Sequence, residues 1–179
     1  NLSLDGYIAD ANGDMSWAHQ SPADAEWNAF AAENAQGGGV LLFGRVTYDL
    51  MAGFWPTPAA AAAMPAVAEG MNRMPKVVFS RTMTRAAWQN TTVVKGDIAA
   101  AVRKMKAEPG PGMAILGSGS IVAQLTQARL IDEYQLVFHP VALGKGKTMF
   151  EGLAGPVRLR LSGSRAFKNG NVLLTYRAA

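Results

Sequence analysis

The 179 residues contain no cysteine. That removes disulfides, thiolate metal sites and thiol nucleophiles from consideration, and it fits the cytoplasm as the expected location. Histidine is nearly as scarce. His19 and His139 are the only two, and neither has a partner at metal-ligand spacing, so no metal site and no Ser-His-acid arrangement is expected. No apolar run approaches the roughly 18 residues that a membrane helix needs. The apolar opening, residues 1–9, carries Asp5, is followed by Asp10 and lacks a basic leader, so it does not read as a signal peptide. The first residue is Asn rather than Met, and it stands directly in a strand-like pattern, so preceding residues are expected. No stretch holds more than two consecutive Lys or Arg, and the net charge of +4 is modest. A nucleic-acid surface is therefore not expected.

What is present is apolar and regularly punctuated. Apolar residues make up 49% of the chain, enough for one substantial core, and the length suits a single domain spanning 1–179. Leu2–Ala9 reads as a strand with Asp5-Gly6 near its end. Ser21-Pro22-Ala23-Asp24 reads as a helix start, with Ser as cap and Pro in the first turn, and Trp27, Phe30 and Ala31 then share a face. Gly37-Gly38-Gly39 stops that helix. Val40–Phe43 has the unbroken apolar pattern of a strand covered on both faces, and Gly44 ends it. A short helix follows over Thr47–Ala52. Ala59–Met71 is a further helical stretch that Pro65 should divide. Lys76–Ser80 and Thr91–Val94 read as strands. Asp97 can cap a helix with Ile98, Val102 and Met105 on one face. Met113–Leu116 is a strand leading into Gly117-Ser118-Gly119-Ser120 and an apolar helix, Ile121–Arg129.

The last third alternates with period two: Tyr134–His139, then Val157–Ser162. Asn169-Gly170 is a hairpin turn joining Arg165–Lys168 to Val172–Arg177. The fold class is therefore α/β, a mixed and mostly parallel sheet with helices on both faces and an antiparallel C-terminal hairpin.

Three segments suit an anion. In Phe43-Gly44-Arg45-Val46-Thr47-Tyr48 a buried strand ends in Gly and opens a helix. Free backbone N–H groups and the helix dipole favour phosphate there, and Arg45 adds a charged fork. In Phe79-Ser80-Arg81-Thr82 a second strand ends in a hydroxyl and an Arg. In Gly117-Ser118-Gly119-Ser120-Ile121-Val122 a glycine turn lets a pyrophosphate approach the backbone at a helix start. The first segment is also satisfied by a plain strand–turn–helix with a solvated Arg, the second by a surface Arg after an edge strand, and a lone glycine-rich turn is weak evidence by itself. The glycine turn matches neither a full dinucleotide fingerprint nor a Walker loop.

In order along the chain, these segments resemble the dihydrofolate reductase-like superfamily, and within it the RibD C-terminal family, the reductase domain of riboflavin biosynthesis. The resemblance also rests on Ser3-Leu4-Asp5-Gly6-Tyr7-Ile8-Ala9 and on Leu130-Ile131-Asp132-Glu133-Tyr134 leading to Pro140-Val141-Ala142-Leu143-Gly144-Lys145-Gly146. It implies a three-layer dihydrofolate reductase-like sandwich and NADPH as cofactor. Arg45 would contact the 2′-phosphate, with Gly44 beside it and Ser80 and Arg81 flanking the adenosine. Thr47 and Gly117, Ser118, Gly119 and Ser120 would cradle the pyrophosphate, with Ile121 and Val122 adjacent. Ala9 would lie near the nicotinamide, and Leu143 and Gly144 in a loop near the cleft.

Hydride transfer also needs a proton, from a side chain or water. Asp5 and Asp24 are the candidates. Asp5 also suits a turn before Gly6, and the capping of a helix start by itself explains Asp24 fully. Trp17, Trp27, Phe54 and Trp55 could line an aromatic substrate pocket or simply pack, and Trp17 and Trp55 are the substrate candidates taken forward.

The resemblance implies an oxidoreductase that reduces a small heterocycle, similar to 5-amino-6-(5-phosphoribosylamino)uracil reductase. The alternatives are a nucleotide-binding protein without turnover and a true dihydrofolate or pterin reductase. The zinc deaminase of the bifunctional relatives is not encoded here, because these residues hold no Cys and no His-x-Glu motif. Members of the family are commonly dimers, which makes a homodimer the assembly to test. The sequence itself displays no symmetric interface.

Overall fold

The computed structural model describes residues 1–19 and 24–179. In chain order the elements are β1 (Leu2–Ser3), β2 (Tyr7–Asp10), a 3₁₀ turn (Ser16–His19), α1 (Ala25–Gln36), β3 (Val40–Gly44), α2 (Arg45–Phe54), α3 (Pro58–Ala63) and α4 (Pro65–Arg73). Then come β4 (Lys76–Phe79), β5 (Thr91–Val94), α5 (Ile98–Ala107), β6 (Met113–Ile115) and α6 (Gly119–Gln127). The chain finishes with β7 (Glu133–His139), β8 (Gly146–Thr148), β9 (Leu159–Ala166) and β10 (Val172–Ala178). Internal contacts divide it into two compact units, Asn1–Asn28 with Val122–Ala179, and Ala29–Ile121. The fold is α/β with a parallel sheet and an antiparallel C-terminal hairpin, as the sequence predicts. The sequence pattern suggested one mixed sheet. The hydrogen bonds instead group the strands into three.

The Ala29–Ile121 unit is built on four parallel strands in the order β5-β4-β3-β6. Leu41, Leu42, Phe43, Val77, Val78 and Phe79 are all buried, which is why these strands read as unbroken apolar runs. Phe43, Tyr48, Val67, Met71, Val78 and Trp88 form the core with Ala35 and Leu41. The Tyr48 hydroxyl accepts the Trp88 backbone N–H at 2.9 Å and the Trp88 indole N–H donates to Asn72 Oδ1 at 2.7 Å, so the polar groups of this aromatic cluster are satisfied. Pro65 does divide the alanine-rich stretch. It stands in the first turn of α4, where its missing N–H costs nothing. Thr57 caps α3 and Asp97 caps α5, each accepting an N–H from the first turn. The first helix after β3 is longer than the sequence suggested, because it begins at Arg45 and runs to Phe54.

The unit of the two chain ends carries a sheet in the order β1-β7-β10-β9. β1 runs parallel to β7, and the β7–β10 and β10–β9 pairs are antiparallel. A separate antiparallel ladder joins β2 to β8. The expected strand Leu2–Ala9 is broken in two. Gly6, at φ +87°, donates its N–H to the Ser3 carbonyl at 2.9 Å, and the Ser3 hydroxyl accepts the Tyr7 N–H at 2.9 Å. That tight turn uses the backbone groups that a continuous strand would have paired. β8 approaches β2 so closely that a Cβ on Gly146 would collide with the Ala9 carbonyl oxygen. The helix start read at Ser21-Pro22-Ala23 lies outside the described residues. Asp24 accepts the Glu26 N–H at 2.8 Å and so caps the described helix, α1. Among the described residues, no helix is long and apolar enough to cross a membrane.

Candidate nucleotide-binding edge and the Asp5 turn

In the parallel sheet the chain steps from β3 to β4 to β5 on one side, then returns to place β6 on the other side of β3. In open α/β sheets, ligands bind outside the carboxyl ends of the strands where the order reverses. Here that point lies between β3 and β6. Their register pairs Val40 with Met113 and Leu42 with Ile115, so the continuing chains bring Gly44 level with Gly117. On the other side Gly44 pairs with Phe79, which brings Arg45 level with Ser80. The three segments that the sequence singled out therefore meet along one edge of one sheet.

Their local geometry follows from backbone constraints. Gly117 and Ser118 both take left-handed conformations, φ +65° and +57°. Glycine adopts this readily and serine does not. The Ser118 hydroxyl accepts the Gly44 N–H at 2.9 Å and so ties the end of β3 to the turn after β6. Gly44 is the residue before α2 and offers that helix no side-chain cap. The first-turn amides of α2 thus have no capping side chain, the usual setting for an anion. The Thr47 methyl lies 3.5 Å from where a Gly117 Cβ would stand, so Thr47 borders the same turn.

Arg45 opens α2 and reaches toward the end of β4. Its Nη1 donates to Thr82 Oγ1 at 2.6 Å and its Nε to Asp49 Oδ2 at 3.4 Å. Ser80 accepts the Met83 N–H at 3.0 Å, which turns the chain after β4, and Arg81 is exposed. Ile121 and Val122 are buried in α6, so they pack rather than face solvent. Trp55 follows α2, with its indole N–H on Met51 Sδ at 3.1 Å and its carbonyl accepting from Asn72. Phe54 stands edge-on to it. Trp55 packs against the core of the same unit, and Phe54 is exposed.

The remaining candidates belong to the other unit. Asp5 accepts the Ser3 hydroxyl at 2.6 Å, the Gly144 N–H at 2.7 Å and the Leu143 N–H at 3.1 Å. The Ser3 hydroxyl and then the loop amides hold the carboxyl down at about 2. Asp5 thus joins the Ser3–Ala9 segment to the Pro140–Gly146 loop, the two ends of the family resemblance. Ala9 is buried in β2 opposite Lys147. Trp17 donates its indole N–H to the Asp14 carbonyl at 3.2 Å and stands edge-on to His139.

Two residues have surroundings that the sequence does not signal. His139 is buried with Trp17 and Trp27 both edge-on to it, and burial pushes its imidazole down to about 4. Lys76 is 1% exposed, and its ammonium donates to the carbonyls of Met71 and Met74 at 2.7 Å and of Asn72 at 3.2 Å. It also lies 4.4 Å over the Trp88 ring. Composition offered no signal for either, because Lys76 is held by backbone carbonyls and His139 packs against rings distant in sequence.

A Bacillus subtilis (strain 168) protein of uncharacterised function, YyaP, is 28% identical over 175 residues, covering 98% of this chain and 90% of its own. A provisionally named riboflavin biosynthesis protein from Shewanella sp. PV-4 superposes with a TM-score of 0.74 at 26% identity, over 99% of this chain and 95% of that one. A diaminohydroxyphosphoribosylaminopyrimidine deaminase/5-amino-6-(5-phosphoribosylamino)uracil reductase from Thermotoga maritima shares the fold at 15% identity, with a TM-score of 0.68. It does so over 99% of this chain and 54% of that longer one. The model of the RibD C-terminal domain matches residues 1–173, and with its parallel sheet, reversed strand order and C-terminal hairpin the chain belongs to that family.

Proposed function

We propose that this chain is an NADPH-dependent oxidoreductase that reduces a small heterocyclic substrate of the ribosylaminopyrimidine type. The observation that carries the reading is the meeting of Gly44, Ser80 and Gly117 along the carboxyl edge of one parallel sheet, at its point of reversal. The residues there fit a phosphorylated dinucleotide. The uncapped start of α2 and the left-handed turn at Gly117-Ser118 suit a pyrophosphate. Arg45, fixed by Thr82, suits a further phosphate, with Ser80 and Arg81 beside it. NADPH, when bound, supplies the hydride, and the protein's share is orientation and electrostatics.

On the family resemblance Ala9 belongs beside the nicotinamide and Leu143 and Gly144 in a loop on the substrate side, and Trp17 and Trp55 are the aromatic candidates for the substrate. Asp5, held ionised by four hydrogen bonds, suits positioning of the 143–144 loop rather than proton donation. Asp24 and water are then the sources of the substrate's proton. A cytoplasmic location and a homodimer belong to the same proposal.

The test is fluorescence titration with NADPH, followed by consumption assays with pyrimidine and pterin substrates. Saturable binding and substrate-dependent oxidation support the reading. Binding with no oxidation on any of these substrates favours a nucleotide-binding role, and no binding at all refutes the proposal.

A further inference from the structure

The guanidinium of Arg45 has two partners with opposite electrical character. Thr82 Oγ1 is a neutral acceptor at 2.6 Å, which orients the fork without altering its charge. Asp49 Oδ2, one turn along α2, is an anion at 3.4 Å from Nε. Both side chains of the ion pair are more than half exposed, at 54% and 53%. Such a pair adds little to stability, so packing does not account for an acid at this position. Its electrical effect on a ligand is different in kind. Any dianion seated on Arg45 also meets the carboxylate beside it, and a ligand lacking that dianion does not.

We propose that Asp49 is a specificity-determining residue that restrains the preference of this protein for a 2′-phosphorylated dinucleotide over the unphosphorylated one. The inference rests on the proposed cofactor reading, in which Arg45 receives the 2′-phosphate. Asp49 draws on the same guanidinium and repels the phosphate, so discrimination is weaker than Arg45 and Thr82 alone would give. The Asp49 side chain is at the surface and serves no core contact, so its replacement leaves the fold intact.

The test uses NADPH and NADH titrations of the wild-type chain, D49N and R45A. Asn keeps an oxygen that can accept from Nε and removes only the charge. D49N should bind NADPH about three- to tenfold more tightly at low ionic strength, with NADH unchanged within about twofold. The gain should shrink at about 1 M salt, where the screening length falls to a few ångströms. Weaker NADPH binding by D49N, or an equal change for both cofactors, overturns the inference. So does an unresponsive D49N in a protein whose R45A variant loses NADPH selectively, and that outcome leaves the cofactor reading standing. Wild-type protein that binds neither cofactor, or R45A losing both equally, overturns the cofactor reading and this inference together.

Discussion

The Gly44 N–H donates to the hydroxyl of Ser118, 74 residues away, at 2.9 Å. One bond thus fixes the spacing between the end of β3 and the turn after β6. Ser118 holds this position at a left-handed φ of +57°. Ser118→Ala keeps the strain and loses the acceptor, so it should cost about 1–2 kcal/mol. Ser118→Gly loses the same bond but releases the strain, and should cost less. Denaturant midpoints of the two variants check this order, and equal midpoints would refute the strain argument.

Arg45→Ala removes the charged fork at the β3–β4 edge. Under the proposed function it should weaken NADPH by about 1.5–3 kcal/mol, the range for a lost charged hydrogen bond, and NADH far less. Paired titrations decide it. Equal losses would remove Arg45 from the 2′-phosphate.

The strands of the parallel sheet were legible in the sequence because each is a short apolar run that a turn residue stops. Val40–Phe43 is wholly apolar and glycine stops it, and Met113–Ile115 leads straight into Gly117. Only the lateral order of strands turns such stops into a shared site, and no residue pattern states that order. The division of α3 from α4 was equally legible, since Pro65 has one tolerable place in a helix. Asp5 was legible as a turn former but not as a clasp, because its partners are backbone amides 138 and 139 residues away. Lys76 read as the flank of an apolar strand, and nothing in its identity signals burial against carbonyls.

Asp5 carries an acid-range signature. Its folded carboxyl is held at about 2, below the ordinary 3.8, by Ser3 and the loop amides. A depressed carboxylate stabilises the fold above the unfolded value, and that contribution fades as pH falls through the folded value. Stability should therefore drop between about pH 4 and pH 2, and Asp5→Asn should flatten that limb. Any activity lost in Asp5→Asn should show no shifted acid limb near neutrality in the rate profile. A neutral-range limb that disappears with Asp5 would instead make it the proton donor.

His139 should dominate a different interval. Burial holds its imidazole at about 4, below the ordinary 6.5, so the folded state binds its proton later than the unfolded one. Stability should be full above about pH 6.5 and should decline as pH falls toward 4, by about 3 kcal/mol across the interval. His139→Gln should remove this slope while leaving the Asp5 limb below pH 4. Urea midpoints at half-unit steps of pH separate the two, and an unchanged slope in His139→Gln would reject the assignment.

Lys76 gives the sharpest stability test. Its ammonium satisfies carbonyls of Met71, Asn72 and Met74 at the end of α4, groups that the helix cannot pair internally. It also rests on the Trp88 ring, which favours a cation. Lys76→Met keeps the length and apolar stem and discards these donors, leaving the buried carbonyls of Met71 and Met74 bare while Asn72 keeps Gln89 and Asn90. Relief from burying a charge offsets part of that loss. The net cost should be about 2–4 kcal/mol, a large share of a domain's stability. Lys76→Arg keeps the charge but forces a planar fork into a site shaped for one ammonium, so it should not restore the wild-type midpoint. A Lys76→Met protein as stable as wild type would show that the carbonyls find other partners.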